Sequence, residues 1–263
     1  MDTSERTKRA KSFEVGAADY ERLRPDFPSD LFVDLQSQAG DRLAGRVLEV
    51  GAGTGRATLP LARLGATVDV VEPSQDMLDV LGERLRADGL DGRVRSRRAR
   101  FEDVDPRDRY DVVVAAQSFH WAAPATRWTR LADLVRPDGL AFLFWNGWSL
   151  DAQRCDIASV ADVYDRLGEG LQPDLDARRS TVGWAQTEIE AEPALQLLST
   201  RTYASPMEVD VHDYLGLIAT TSQYDVATPA VRDRLFDALV PVLGPRVALR
   251  GRTLFLAVGP NQQ

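Results

Sequence analysis

The chain has 263 residues, of which 44% are hydrophobic and 27% are charged, a balance that is typical of a soluble globular protein and excludes disordered and fibrous classes. Its formal net charge of −8 opposes nonspecific binding to nucleic acid, which depends on cationic neutralisation of phosphates, so no nucleic-acid partner is expected. One cysteine and two histidines exclude an internal disulfide and argue against a metal site.

The sequence contains no segment that would be expected to enter a membrane. The longest purely apolar run covers residues 140–145, far short of the ~20 residues that a membrane helix needs. The first eleven residues are charged and lack the apolar stretch of a secretory signal. We therefore expect a cytoplasmic protein without a membrane partner.

Strands and helices are predicted to alternate through the first half of the chain. Residues 13–39 have a mixed helical pattern that is interrupted at 24–28. Apolar runs then predict strands at 46–50, 67–71, 94–99, 110–116 and 140–145. Helices are predicted between them at 54–64, 74–87 and from Pro124 to the Pro137-Asp138-Gly139 stop. Strands separated by helices of this length imply right-handed crossovers and a doubly wound parallel α/β sheet.

The pattern changes after Gly147. Residues 149–193 are mainly helical and predict a lid insertion, followed by a strand at 195–203, helices near 208–221 and 229–243, and a strand at 252–258. We therefore divide the chain into a helical N-terminal cap (1–40), a core (41–148), the helical lid (149–193) and a segment that completes the sheet (194–263). Seven mostly parallel strands are expected in total.

A glycine-rich turn after the first strand predicts a ligand site. Gly51, Gly53 and Gly55 follow a strand and precede a helix, so a ligand can approach the backbone without meeting a side chain. Glu72 follows at the end of the second strand, where a carboxylate can accept hydrogen bonds from the two hydroxyls of a ribose.

The spacing of the turn bears on which cofactor it suits. The nicotinamide and flavin pattern G-x-G-x-x-G needs a glycine where this chain has Arg56, which argues against a nicotinamide-dependent oxidoreductase. Glu49 lies two residues before the first glycine. A carboxylate there suits a ligand that carries an ammonium group and a sulfonium.

Several motifs in this region resemble those of the class I S-adenosylmethionine-dependent methyltransferases. They are the glycine turn and the segments Val71-Glu72-Pro73-Ser74, Phe101-Glu102-Asp103, Tyr110-Asp111-Val112-Val113 and Val135-Arg136-Pro137-Asp138-Gly139. Residues 18–28 and 117–121 also resemble the group that includes trans-aconitate methyltransferase-like proteins. The resemblance implies a Rossmann-like core over residues 41–148 and S-adenosylmethionine as cofactor.

The resemblance also implies which residues hold that cofactor. The glycine turn would line its methionine part, Glu49 would orient this loop or reach the ammonium through water, and Glu72 would hold the ribose. Pro73 would border the adenine ring, and Phe101 and Glu102 would contact it. Gln117 would pass beneath the sulfonium, and Tyr20 and Arg24 would close over the donor. The full predicted set is Tyr20, Arg24, Glu49, Gly51, Ala52, Gly53, Glu72, Pro73, Phe101, Glu102 and Gln117.

Aromatic residues after the fourth and fifth strands predict the acceptor site. Trp121, Trp145 and Trp148 are expected to line it, since ligands bind at the carboxyl ends of parallel strands. His120 is the candidate catalytic residue, either as a general base or as part of the wall, because imidazole titrates near pH 6.5. We expect methylation of a small molecule by a monomer or homodimer. The expected acceptor atom is an oxygen of a carboxylate or hydroxyl, with nitrogen and carbon as the alternatives. The alternative is a protein that binds S-adenosylmethionine or its product without transferring the methyl group.

Overall fold

A computed structural model of the protein describes residues 23–175, 183–221, 223–224 and 227–261. It divides the chain into two compact units. The first, here called the sheet unit, contains the described residues of Asp26–Asn146, Val182–Tyr203 and Thr253–Gln263. The second, here called the helical unit, contains those of Met1–Pro25, Gly147–Thr181 and Ala204–Arg252.

The described residues form a seven-stranded sheet of order β3-β2-β1-β4-β5-β7-β6. Its strands are β1 (Val47–Val50), β2 (Val68–Glu72), β3 (Val94–Arg98), β4 (Tyr110–Ala116), β5 (Val135–Leu150), β6 (Leu195–Asp210) and β7 (Arg246–Pro260). The pairs β1–β2, β2–β3, β1–β4 and β4–β5 are parallel. The last three strands contribute residues to both units.

The contacts of β7 show that it runs against its neighbours. Thr253 Oγ1 donates a hydrogen bond to Asn146 Oδ1 at 2.6 Å, whereas Gly259, six residues further on, lies against Leu140. The partners in β5 therefore step backwards as β7 advances, which makes this pair antiparallel. The mostly parallel, doubly wound, Rossmann-like sheet predicted from the sequence is confirmed.

The helices are divided between the sheet unit and the helical unit. The sheet unit contains α1 (Ser29–Ala39), α2 (Thr58–Arg63), α3 (Gln75–Ala87), α4 (Arg127–Leu134) and, later in the chain, α6 (Trp184–Glu190). The helical unit contains α5 (Ile157–Leu167), α7 (Val211–Ala219) and α8 (Pro229–Leu243). Ser74 caps the N-terminus of α3, because its hydroxyl accepts a hydrogen bond from the Met77 N–H.

Alternate residues of the central strands pack on opposite faces of the sheet. Leu48, Val113 and Leu143 belong to one apolar cluster of the sheet unit, which includes residues of α4 and α6. Val47 and Val112 belong to the other, which includes residues of α1 and α3. Apolar residues on both faces explain why these strands are almost continuously apolar in sequence.

Some element boundaries differ from the sequence prediction. β5 begins at Val135 because Val135 pairs with Tyr110 before a register shift, and regular pairing resumes at Leu140 opposite Val112. The helix predicted from 54 begins only at Thr58, after the glycine turn. Of the predicted N-terminal cap, residues 1–22 lie outside the described residues. No helix in the described part of the chain is both long and apolar enough to cross a membrane.

Candidate functional site

The carboxyl ends of four parallel strands bring the predicted residues of the sheet unit to one edge. Residues 51–53 follow β1, Glu72 ends β2, residues 117–121 follow β4, and Trp145 lies near the same end of β5. In open α/β sheets ligands bind at this edge, where the strand order reverses direction. Here the reversal lies between β1 and β4.

The turn after β1 needs glycine at two positions for different reasons. Gly51 has a φ of +66°, and a Cβ there would lie 2.5 Å from the Ser118 side chain. Gly53 has a φ of +56°, and no described atom lies within 4 Å of the position that its Cβ would take. Gly51 is therefore required by packing between β1 and β4, whereas Gly53 faces open space that a ligand can enter.

Glu72 links this turn to the end of β2. Its Oε2 accepts a hydrogen bond from the Gly53 N–H at 3.0 Å, and its Oε1 accepts one from the Ser74 N–H at 3.0 Å. Burial raises the pKa of Glu72, and the two backbone hydrogen bonds oppose that rise. Each carboxylate oxygen can accept more than one hydrogen bond, so both keep capacity for ligand hydroxyls.

Glu49 is fully buried in β1. Its Oε2 accepts a hydrogen bond from Thr58 Oγ1 at 2.6 Å, whereas its Oε1 has no hydrogen-bond partner among the described residues. Burial raises the pKa of Glu49 to about 8, with Thr58 opposing the rise and the neighbouring Glu72 adding to it. Glu49 thus connects β1 to the start of α2 and keeps one unsatisfied buried oxygen.

Gln117 joins the ends of β4 and β5. Its Nε2 donates to the Asn146 carbonyl at 3.1 Å, and its Oε1 accepts from the Asn146 N–H at 2.8 Å. Its own N–H donates to the Phe144 carbonyl at 2.8 Å. Its φ of +56° is unusual for a residue with a side chain and costs about 1–2 kcal/mol. These hydrogen bonds hold the strained turn in place.

The residues expected to contact an adenine ring have other partners within the sheet unit. Phe101 is 5% exposed, and its ring lies 5.4 Å from that of Phe119. Glu102 Oε1 accepts a hydrogen bond from the Ala123 N–H at 2.8 Å. Pro73 is exposed beside Glu72. Contact of these three residues with adenine stays a prediction.

A short 3-10 turn, Phe119–Trp121, presents His120 next to β5. Phe119 is fully buried and anchors the turn. Trp145 Nε1 donates a hydrogen bond to His120 Nδ1 at 3.3 Å, and the rings of His120 and Trp121 lie 4.9 Å apart. The structure therefore brings together three of the four residues predicted to contact the acceptor.

The remaining predicted residues are in the helical unit or outside the described chain. Arg24 donates from Nε to Thr220 Oγ1 at 3.0 Å and from Nη2 to the Thr220 carbonyl at 2.9 Å. Its guanidinium lies 5.0 Å from the centre of the Trp148 ring, and Trp148 is 8% exposed. Tyr20 lies outside the described residues.

The sequence analysis did not identify Arg127, a buried cation that packs on Trp184 next to the predicted acceptor residue Trp145. Arg127 is 4% exposed, pairs with Glu188 and lies 4.3 Å from the centre of the Trp184 ring. Trp184 in turn lies 5.4 Å from Trp145 in an edge-to-face arrangement. Nothing in the local sequence marks these pairs, because α4 and α6 are about sixty residues apart in the chain.

Comparison with known proteins points to one family. The family model for a methyltransferase domain matches residues 47–139. An uncharacterized methyltransferase of Mycobacterium bovis is 30% identical over 218 residues, covering 79% of this chain and 84% of that protein. A candidate S-adenosylmethionine-dependent methyltransferase of Saccharomyces cerevisiae is 27% identical over 161 residues, covering 60% of this chain and 53% of that protein.

Solved structures share the fold. A candidate type II methyltransferase of Anaeromyxobacter dehalogenans matches with a TM-score of 0.62 and 23% identity, covering 90% of this chain and 97% of that one. A Geobacter sulfurreducens methyltransferase, solved with S-adenosylhomocysteine, matches with a TM-score of 0.52 and 14% identity, covering 91% and 93%. The matched domain, the relative matched over 84% of its length and the fold together show that the chain belongs to the class I S-adenosylmethionine-dependent methyltransferases.

Proposed function

We propose that this methyltransferase transfers the methyl group of S-adenosylmethionine to an oxygen of a small molecule, with the donor bound along the carboxyl edge of the sheet unit. The observation that carries this proposal is the open space at Gly53 beside two buried carboxylates, Glu49 and Glu72. Neither side chain has a cationic partner among the described residues, and burial raises the pKa of both. A ligand with hydroxyls and an ammonium group would offset the cost of ionising them.

The residues of this edge fit the groups of the donor. Glu72 has lone pairs left for the two ribose hydroxyls, and its bond to the Gly53 N–H fixes the turn that faces them. Glu49 Oε1 has no hydrogen-bond partner among the described residues, which suits the ammonium group directly or through a water molecule. When bound, S-adenosylmethionine supplies a methyl group activated by the positive charge on its sulfur.

The acceptor oxygen attacks in line with the bond that breaks. A lone pair of that oxygen forms the new bond to the methyl carbon, and the electron pair of the carbon–sulfur bond goes to the sulfur, which becomes a neutral thioether. A carboxylate acceptor yields a methyl ester without losing a proton, whereas a hydroxyl acceptor must also give up its proton. Alignment of these atoms accounts for much of the rate acceleration, and it requires side chains that hold the acceptor in a fixed position.

Sequence motifs support a carboxylate as one acceptor class. Residues 18–28 and 117–121 resemble the trans-aconitate methyltransferase-like group. A carboxylate with a pKa near 4 is ionised at neutral pH and needs no general base. Hydroxyl acceptors remain the other class, and for them His120 would have to accept the proton.

The test is conversion of S-adenosylmethionine labelled in its methyl group. Purified protein is incubated with paired acceptors of one carbon skeleton, a carboxylic acid and the corresponding alcohol, and labelled products are separated from the donor. Transfer of label to an oxygen supports the proposal, whereas label found only on nitrogen or carbon acceptors would overturn it. His120→Ala is expected to slow turnover more than it weakens binding of S-adenosylhomocysteine, and equal turnover would leave His120 without a role in catalysis.

A further inference from the structure

A short segment before α1, residues 26–28 and here called the strap, is fixed to the end of β5. The ring of Phe27 packs edge-to-face against that of Phe144, with 4.8 Å between the ring centres. Asn146 Nδ2 donates a hydrogen bond to the Asp26 carbonyl at 3.5 Å. Both contacts lie at the carboxyl edge of the sheet unit, since Phe144 pairs with the last residue of β4.

The strap also contacts the end of the glycine turn. The Asp26 carboxylate forms an ion pair with the guanidinium of Arg56, which directly follows Gly55. The Arg56 side chain is 12% exposed, whereas that of Asp26 is 76% exposed. A guanidinium that is largely removed from water needs a negative partner to offset its loss of hydration. The ion pair therefore holds the strap against the turn.

These contacts place the strap across the crevice proposed for the donor. The glycine turn follows β1, and β4 lies between β1 and β5 in the sheet. A segment that is bonded both to the end of β5 and to the turn after β1 has to pass the end of β4. The strand order reverses between β1 and β4, which is where ligands bind in such sheets. Gly53, with open space at its Cβ position, lies three residues before Arg56 in the same turn.

We propose that Asp26 and Arg56 are positioning residues whose ion pair keeps the strap closed over the methionine part of the donor and slows its release. Phe27 stays packed on β5 when the pair is broken, so the part of the strap that opens is the end at Asp26. A segment that must open before a ligand can leave converts the strength of its closing contact into a dissociation rate. S-adenosylhomocysteine has the same amino-acid part as the donor and is retained in the same way. This inference rests on the proposed donor site and adds a barrier to exchange at it.

Dissociation of S-adenosylhomocysteine measures this barrier. The full-length protein is immobilised and its binding of S-adenosylhomocysteine is followed by surface plasmon resonance, which gives both rate constants. We expect Asp26→Asn and Arg56→Gln each to dissociate about tenfold faster than wild type, because either change removes one charge of the pair. The affinity should fall less than the dissociation rate rises, since an open strap also admits the ligand faster. Equal dissociation rates in wild type and both variants would overturn the proposal.

Matched variants separate this role from a general loss of stability. Arg63 and Asp88 form an ion pair of the same kind at the far end of α2, so Arg63→Gln and Asp88→Asn should leave the dissociation rate unchanged. Asp26→Glu keeps the charge at an exposed position and should dissociate nearly as slowly as wild type. The double variant Asp26→Asn/Arg56→Gln should dissociate no faster than either single variant, because the same pair is lost in all three. Fast dissociation of Asp26→Glu, or additive effects in the double variant, would show that the pair does not hold the strap.

Folding of the variants and failure of the donor site are checked separately. The Asp26 side chain is exposed, so Asp26→Asn is expected to fold, and chemical denaturation verifies this for each variant. If the wild-type protein binds no S-adenosylhomocysteine, the donor site of the proposed function is wrong and this inference falls with it. If it binds but labelled methyl is found only on nitrogen or carbon, the proposed acceptor atom is wrong, while the dissociation rates still decide the role of the pair.

Discussion

Replacing Glu49 by glutamine is expected to remove a large pH dependence of stability. The side chain is fully buried, and its pKa of about 8 in the folded protein compares with an ordinary value of 4.5. The folded state therefore binds a proton that the unfolded state has released between these two values. Stability is highest when Glu49 is protonated in both states and falls as the pH rises from about 5 to 8. The glutamine side chain of the Glu49→Gln variant cannot ionise and avoids this loss.

The size of the effect follows from the two pKa values. With 4.5 in the unfolded chain and about 8 in the folded protein, raising the pH from about 5.5 to 8 lowers the free energy of unfolding by about 3 kcal/mol. The window is unusually clear, since His120 and His212 are the only histidines in the chain. They are present in wild type and variant alike, so the difference between the two proteins isolates Glu49.

Chemical denaturation at several pH values measures this difference. The free energy of unfolding of wild type and Glu49→Gln is determined between pH 5.5 and 8, with Glu83→Gln on the exposed side of α3 as a matched control. We expect the wild type and the control to lose stability in parallel while Glu49→Gln changes much less. Parallel curves for all three proteins would show that Glu49 is not held protonated by burial.

Three further substitutions test the site and its support. Glu72→Ala should weaken binding of S-adenosylhomocysteine by about 1–3 kcal/mol in calorimetry, and unchanged affinity would remove Glu72 from the donor site. Gly53→Ala and its control Gly89→Ala both place a Cβ in open space at positive φ, so each should cost about 1–2 kcal/mol of stability. Only Gly53→Ala should weaken binding of S-adenosylhomocysteine. Equal affinities of the two variants would contradict a ligand at the turn. Glu188→Gln should lower the free energy of unfolding by about 2–3 kcal/mol because it leaves Arg127 buried without its carboxylate, and a smaller loss in the Arg127→Met background would confirm the pairing.

Two predicted site residues have contacts that the sequence did not indicate. Both ends of the Gln117 amide are bonded to the backbone of Asn146, so this side chain extends the pairing of β4 with β5. Its place beneath a sulfonium stays a prediction. His120 was expected as a base or as part of the wall. In the structure its Nδ1 accepts a hydrogen bond from Trp145 Nε1, and the choice between the two roles stays a prediction.

The order of the strands at the end of the chain could not be predicted from the sequence. The pattern of apolar residues predicts that two late strands exist, and it predicts their centres, but the last strand lies between β5 and β6. β7 lies beside β5, and Thr253 and Asn146, which are bonded to each other there, are 107 residues apart in the chain. Periodicity along a strand carries no information about such a pairing.

The sequence by itself determined the elements and indicated the residues of the proposed donor site. Alternating apolar runs, the glycine turn and the carboxylates near the ends of β1 and β2 are local features, and local backbone preferences are enough to place them. Only the tertiary structure decided the buried state of Glu49, the contact of Trp145 with His120 and the support from Arg127. These features depend on side chains that are separated in the chain and meet only in the folded sheet. Desolvation of a side chain and the direction of its hydrogen bond are therefore properties of the tertiary structure.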